Sequence, residues 1–518
     1  MRWDRAALAV ALVGGAMLRL SDLDLRPMHT DEAVHAVKFG ALLENGTYRY
    51  DKNEYHGPTL NYFTLLPAWL AGEKTLAGVT ETTLRIVPVF FGLCVLLLVL
   101  LLPGIGRTTS AFAILLSAFS PAMVFYSRYY IQETLLVCFA FGVIVSACRT
   151  RPGGRWTWAV MAGVCAGLMC ATKETWVISA GMMGIAMLGV WIIQRREGGT
   201  GHFPGAGRLG IALLCAGGVW VLFFSSFLTQ WEGVRDSLLA YGTYVTRAGE
   251  NARHGHPWHY FLSMLTFSRG DHGPLWTEGG IVLFGIGGLW NALKERPVNA
   301  GEGRGLCMFL GFYALAMLLV SSAMPYKTPW LVLSALQPLI VTAGFGVSAL
   351  LKWLEARRLR PLGIVITAVM VFHLAWQSWM ASFRYYDDPV NPYVYSQPGD
   401  DVREIAATAK RAVQRGGSTL QVVCTGNDYW PLPWYLRALP HVGWWSGVGE
   451  PFVLTDVMLA SPEFEPALLK RMYELPPPGE RGLYVPLFDR PMFLRPGNEL
   501  RGYIRLDLRN AMLGEKSP

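Results

Sequence analysis

The chain has 518 residues, 52% of them hydrophobic and only 16% charged, whereas a soluble domain carries about 25% charged residues. That balance excludes an ordinary soluble protein, and runs such as Ile86 to Leu102 and Leu209 to Leu228 approach the roughly 20 apolar residues that cross a bilayer. The net charge of +8 is therefore read as topogenic charge on cytoplasmic loops and not as a nucleic-acid surface.

In chain order, Arg2 and Arg5 precede the first apolar stretch, and no small-x-small cleavage site follows before Arg19 and Asp22. This predicts a retained helix and not a cleaved signal peptide. About eleven membrane helices are predicted, at 6–20, 84–102, 109–126, 130–147, 156–172, 175–193, 209–228, 277–293, 305–323, 328–351 and 361–383. With the N-terminus in the cytoplasm, the inner segments carry Arg2, Arg5, Arg107, Arg149, Arg151, Arg155, Arg195, Arg196, Arg208, Lys294, Arg296, Arg304, Lys352, Arg357, Arg358 and Arg360. The short outer turns carry only Arg128, Lys173 and Lys327, the asymmetry expected of this orientation. An odd helix count places the C-terminal segment outside, which in a bacterium is the periplasm.

Two outer loops are long, at 21–83 and 229–276; the first contains the aromatic amphipathic stretch Leu60 to Leu70, suited to an interfacial position. After Phe383 a turn-rich linker, Tyr385 to Pro392, leads to a helical stripe of Val402, Ile405, Ala406, Ala409, Ala412 and Val413 and a short strand at Leu420 to Val423. The predicted architecture is mainly α, a polytopic membrane domain over 1–383 followed by a small extracytoplasmic α/β domain over 384–518. The eight cysteines show no disulfide framework or CxxC motif and are read as apolar fillers.

The orientation, set by Arg and Lys alone, collects the unusual polar motifs on the outer face. They are Asp31-Glu32, Glu54 to Pro58 with His56, Ser127 to Glu133 with Arg128, Lys173-Glu174, Arg269 to Pro274 with Asp271 and His272, and Met324 to Trp330 with Lys327. Carboxylates near hydrocarbon are costly, so the acid pair is a functional-site candidate. An enzyme using a polyprenyl-phosphate sugar needs a carboxylate base for a hydroxyl nucleophile, cations for the departing phosphate and an apolar groove. Asp31 or Glu32 suits the base; Arg128, Lys173 and Lys327 suit the phosphate.

Structural roles compete with each assignment. Asp31-Glu32 also suits a helix N-terminus, although a cap needs only one acid. Arg128 and Glu133 are spaced to pair across about one helical turn, Lys173-Glu174 to snorkel at the interface, and Lys327 to sit in an aromatic belt with Tyr326 and Trp330. His254, His256 and His259, near Asp271 and His272, offer imidazoles for a divalent metal or simply a solvated loop. Gly426 to Tyr435 suits either sugar stacking or domain packing.

The motif His29-Thr-Asp-Glu-Ala33 after one helix resembles the GT-C membrane glycosyltransferases, among them protein O-mannosyltransferases and aminoarabinose transferases that modify lipid A. Tyr55-His-Gly-Pro-Thr-Leu-Asn-Tyr62 stands where those enzymes carry a Pro-rich segment, with His56-Gly57-Pro58 in place of the usual Lys-Pro-Pro. His29-Thr-Asp-Glu-Ala-Val-His35, Pro325-Tyr-Lys-Thr-Pro-Trp330 and Gly426 to Tyr435 give a closer resemblance, to the bacterial and archaeal membrane proteins labelled "flippase activity-associated". The resemblance implies Asp31 as the base, Glu32 as an acid that positions acceptor or metal, and a polyprenyl-phosphate sugar as donor to a lipid, glycan or protein acceptor. His29, His56, Glu133, Glu174, Asp271 and His272 are further substrate-binding candidates; the sequence establishes no cofactor, and the resemblance leaves a divalent metal open, since some GT-C enzymes use one and others do not. The rival expectations are a flippase or transport component, which needs a polar path through the membrane, and a non-catalytic subunit of a lipid-linked glycan assembly system.

Overall fold

The computed structural model describes residues 3–53, 56–150, 155–198, 205–250, 255–295, 303–416, 419–479 and 481–514. The helices in the first part of the chain are α1 (Trp3–Leu20), α2 (Thr30–Asn45), α3 (Thr59–Leu70), α4 (Glu81–Leu100), α5 (Arg107–Phe119), α6 (Pro121–Ser127), α7 (Glu133–Arg149) and α8 (Thr157–Cys170). They are followed by α9 (Trp176–Arg196), α10 (Ala206–Phe224), α11 (Glu232–Glu250), α12 (Tyr260–Thr266), α13 (Gly279–Lys294), α14 (Arg304–Ala323), α15 (Leu333–Glu355) and α16 (Arg360–Trp379). The chain divides into two units. One holds Met1–Leu23, Asn45–Gly72 and Thr82–Tyr395; the other holds Asp24–Glu44, Glu73–Glu81 and Ser396–Pro518.

In the first unit a helix occupies each of the eleven predicted positions, but the predicted 109–126 helix is broken. Ser120 accepts the Met123 N–H at 3.4 Å and Pro121 opens α6, so α5 and α6 meet at 55°. Proline supplies no N–H to continue the preceding ladder and is at home at a helix start. Among the described residues six helical segments are long and apolar enough to span a membrane, and seven if the bent pair counts as one. They are Glu81–Leu100, Trp176–Arg196, Ala206–Phe224, Arg304–Ala323, Pro329–Glu355 and Arg360–Arg384. The predicted long loops hold α2 and α3, and α11 and α12. α3 exposes Leu66, Trp69 and Leu70. α13 and α15 approach so closely that a Cβ on Gly288 would lie 2.3 Å from the Thr342 oxygen, the close helix contact that small residues permit in membranes.

The second unit is built on α17 (Asp401–Gly416) and the strands β1 (Leu420–Val423), β2 (Val442–Trp445), β3 (Val457–Ala460), β4 (Tyr484–Pro486), β5 (Met492–Arg495) and β6 (Asn498–Arg505). The sheet order is β2-β1-β3-β6-β4, with β5 also on β6; β1, β2 and β3 are parallel, and β6 runs antiparallel to its neighbours. The predicted helical stripe is the buried face of α17. On one face of the sheet Val423, Met458 and Ala460 pack with Phe452, Leu468 and Met472.

Sequence reading placed residues 24–44 in a loop of the membrane domain. In the structure they belong with the C-terminal residues. Gln397 donates to the Pro27 oxygen at 2.7 Å, Arg403 to the Leu25 oxygen at 3.1 Å, and Glu44 accepts the Leu76 N–H at 2.8 Å. Arg437 donates to the oxygens of Leu76 at 3.1 Å and Val79 at 2.7 Å, which ties residues 73–81 into the same unit.

Candidate active site

The acid motif forms the first turn of α2. Glu32 accepts the His29 N–H at 3.0 Å, and the His29 imidazole Nδ1 accepts the Asp31 N–H at 3.1 Å. This is close to a capping box, with an imidazole in the usual place of Ser or Thr and accepting from the residue two on in place of three. Glu32 is fully buried and also meets the Arg26 guanidinium at 3.5 Å. Met28 donates its N–H to the Tyr435 hydroxyl at 2.8 Å, which fixes the entry to the helix. The two acids are therefore unlike. Glu32 is engaged in cap and ion pair. The Asp31 side chain is part-exposed, and its carboxylate has no partner among the described residues.

In the other unit the segment after Glu54-Tyr55, residues outside those described, lies against the end of α8. The Thr59 N–H reaches the Ala171 oxygen at 3.3 Å and the Thr59 and Thr172 hydroxyls share a bond of 2.8 Å. A Cβ on Gly57 would lie 2.1 Å from the Ala171 oxygen; glycine is the residue that permits this backbone approach. The contact brings His56 to Glu174, with Nδ1 2.8 Å from the carboxylate, and Tyr50 donates to the other oxygen of Glu174 at 2.9 Å. Lys173 is buried in an ion pair with Glu133. The expected Arg128–Glu133 pairing is thus replaced by Lys173–Glu133.

Arg128 serves the end of α1. It donates to the carbonyls of Leu18 at 3.0 Å, Arg19 at 3.2 Å, Ser21 at 2.6 Å and Asp22 at 3.0 Å, and lies 4.6 Å over the Phe383 ring. Those orphan carbonyls carry the negative end of the helix dipole, which favours a cation there. Lys327 is also buried. It donates to the oxygens of His256 at 3.0 Å and Met324, leaving one ammonium N–H without an acceptor among the described residues. His272 pairs with Asp388 at 2.8 Å on the surface, and Asp271 is exposed.

Of the histidines considered for a metal, His254 lies outside the described residues and the His256 ring stacks on Tyr260 at 4.3 Å. Among the described residues no three His, Cys, Asp or Glu side chains gather to hold a metal ion. Sequence reasoning missed three polar groups. Tyr50 carried no local signal. Arg26 stands six residues before Glu32, beyond the spacing of a local helical pair. Glu278, fully buried, accepts from Ser120 at 2.5 Å, the Ala122 N–H at 3.1 Å and Tyr393 at 2.9 Å; it precedes α13 and pins the α5–α6 break.

The chain has a fold already seen in solved structures. It superposes on ArnT from Cupriavidus metallidurans in the apo state with a TM-score of 0.62 at 15% identity, over 96% of this chain and 97% of that one. The same protein bound to undecaprenyl phosphate gives 0.60 at 15% identity, over 96% and 98%. Residues 63–221 match the family model described as dolichyl-phosphate-mannose-protein mannosyltransferase. No curated protein matches in sequence.

Proposed function

We propose that this chain is a membrane glycosyltransferase that moves a sugar from a polyprenyl-phosphate donor to a lipid, glycan or protein hydroxyl on the outer face of the cell membrane. The observation that carries the reading is the division of labour in the acid motif: Glu32 is engaged in holding the turn, and Asp31 beside it keeps a part-exposed carboxylate. In the reaction the acceptor hydroxyl gives its proton to Asp31. Its oxygen bonds to the anomeric carbon, and the bond from that carbon to the phosphate oxygen breaks. The electron pair leaves with the polyprenyl phosphate, where a fixed cation stabilises the developing charge.

Lys173 and Lys327 are assigned to that phosphate, Lys327 through its remaining N–H. His56, oriented by Glu174 and Tyr50, is assigned to substrate binding. The fold match to ArnT and the family match over 63–221 support the reaction class. The basic residues of the inner segments support eleven passes with the C-terminal domain outside, in keeping with the reading of a bacterial inner-membrane protein.

The test is transfer by the purified chain in proteoliposomes supplied with undecaprenyl-phosphate sugars and membrane lipid extracts as acceptors, followed by mass spectrometry. A glycosylated acceptor together with free undecaprenyl phosphate supports the reading. Movement of intact lipid-linked sugar across the bilayer, with no acceptor product, replaces it with transport.

A further inference from the structure

The segment Gly426 to Tyr435 is divided by the structure into two parts. Trp434 and Tyr435 are buried, with the Trp434 indole donating to Glu81 at 3.2 Å and the Tyr435 hydroxyl accepting from Met28. Tyr429 and Trp430 stay part-exposed. They follow β1 directly, at the carboxyl ends of the parallel strands. β1 lies between β2 and β3, so the connection after β1 leads to one side of the sheet and the connection after β3 to the other. Crevices at such a switch point are where open parallel sheets receive ligands.

A third ring completes the feature. Side chains alternate along β2; Trp445 turns into the core against Phe452 and donates to Gln421, so Trp444 faces the other way. Trp444 is part-exposed, and its ring centre lies 4.7 Å from that of Tyr429, which is 5.9 Å from Trp430. The loop that carries Tyr429 is held before any ligand arrives. Asn498 donates to the Asp428 carbonyl at 2.9 Å, Arg495 bonds one Asp428 carboxylate oxygen at 3.0 Å, and Thr425 donates to Glu463 at 2.7 Å.

We propose that this platform of Tyr429, Trp430 and Trp444, edged by Asn427 and Asp428, binds a sugar ring of a glycan. A pyranose offers an apolar C–H face to an aromatic ring and hydroxyls around its edge. Aromatic rings beside a carboxylate and an amide meet both needs. The platform is a binding site in its own right and does not depend on the transferase reading.

The experiment is saturation-transfer NMR on the full chain in nanodiscs, with maltose, cellobiose, lactose and chitobiose as probes at up to about 50 mM, a range matched to millimolar affinity. At least one disaccharide is expected to bind saturably. Trp444→Ala and Tyr429→Leu should each weaken it on the order of tenfold. Trp444→Phe keeps the ring and should retain binding, which separates loss of stacking from loss of fold. Trp258→Ala removes an exposed indole of the other unit and should change nothing. No saturable binding by any of the four disaccharides, or equal binding by the wild type, Trp444→Ala and Tyr429→Leu, overturns the proposal.

Discussion

Glu32→Ala tests the reading of the acid motif through stability. The substitution removes the acceptor of the His29 N–H at 3.0 Å and the carboxylate that meets buried Arg26 at 3.5 Å. Separating a buried ion pair costs about 3–5 kcal/mol. The 3.5 Å separation is long for a charge-assisted hydrogen bond, which favours the lower end, about 3 kcal/mol. Loss of the cap adds about 1 kcal/mol. Glu32→Gln keeps an oxygen for the His29 N–H and should lose only the ionic part, about 3 kcal/mol. For a unit of this size the alanine variant should unfold about 8–16 °C lower, read by tryptophan fluorescence in nanodiscs, with glutamine between it and the wild type. Asp31→Asn, which removes no described partner, should unfold like the wild type. An alanine variant as stable as the wild type would refute the capping and pairing roles of Glu32.

Gly57→Ala places a Cβ 2.1 Å from the Ala171 oxygen; it should lower transfer at least about tenfold while Gly181→Ala, which meets nothing within 4 Å, is neutral, as measured by kcat/KM. His56→Ala and Glu174→Gln remove one bonded pair, so the double variant should be no worse than the poorer single variant in kcat/KM; additive losses would separate the two residues. Burial pushes the Asp401 carboxyl up, but the Arg490 hydrogen bond, the Phe493 amide and the Arg490 charge outweigh it and hold the group below its usual range. Its stabilising contribution is therefore present above the unfolded value of about 3.9 and is lost as pH falls through the lower folded value. Asp401→Asn should flatten that part of the acid-unfolding curve, and identical curves for the two proteins would contradict it.

The features legible in the sequence were those written in local periodicity. Apolar runs located the helices, and the stripe from Val402 to Val413 gave the buried face of α17. The Leu420–Val423 run was β1. Long-range partners were not legible. Arg128 lies over a hundred residues from the α1 carbonyls it caps, and Lys173 reaches back to Glu133 across a pair of helices. Tyr50 has no pattern that points to Glu174. The place of 24–44 in the second unit rests on bonds to Gln397, Arg403 and Tyr435, 370 to 407 residues away. The broken helix at Ser120 was signalled by Ser-Pro, but hydropathy alone ran through it.

The most direct test of the central claim is single-turnover transfer from an undecaprenyl-phosphate sugar by Asp31→Asn in proteoliposomes. Asparagine keeps the size of the side chain but cannot take the acceptor proton. The account predicts a fall of at least about a hundredfold in the transfer rate, with unfolding temperature and donor binding unchanged. Transfer at the wild-type rate by Asp31→Asn would contradict it.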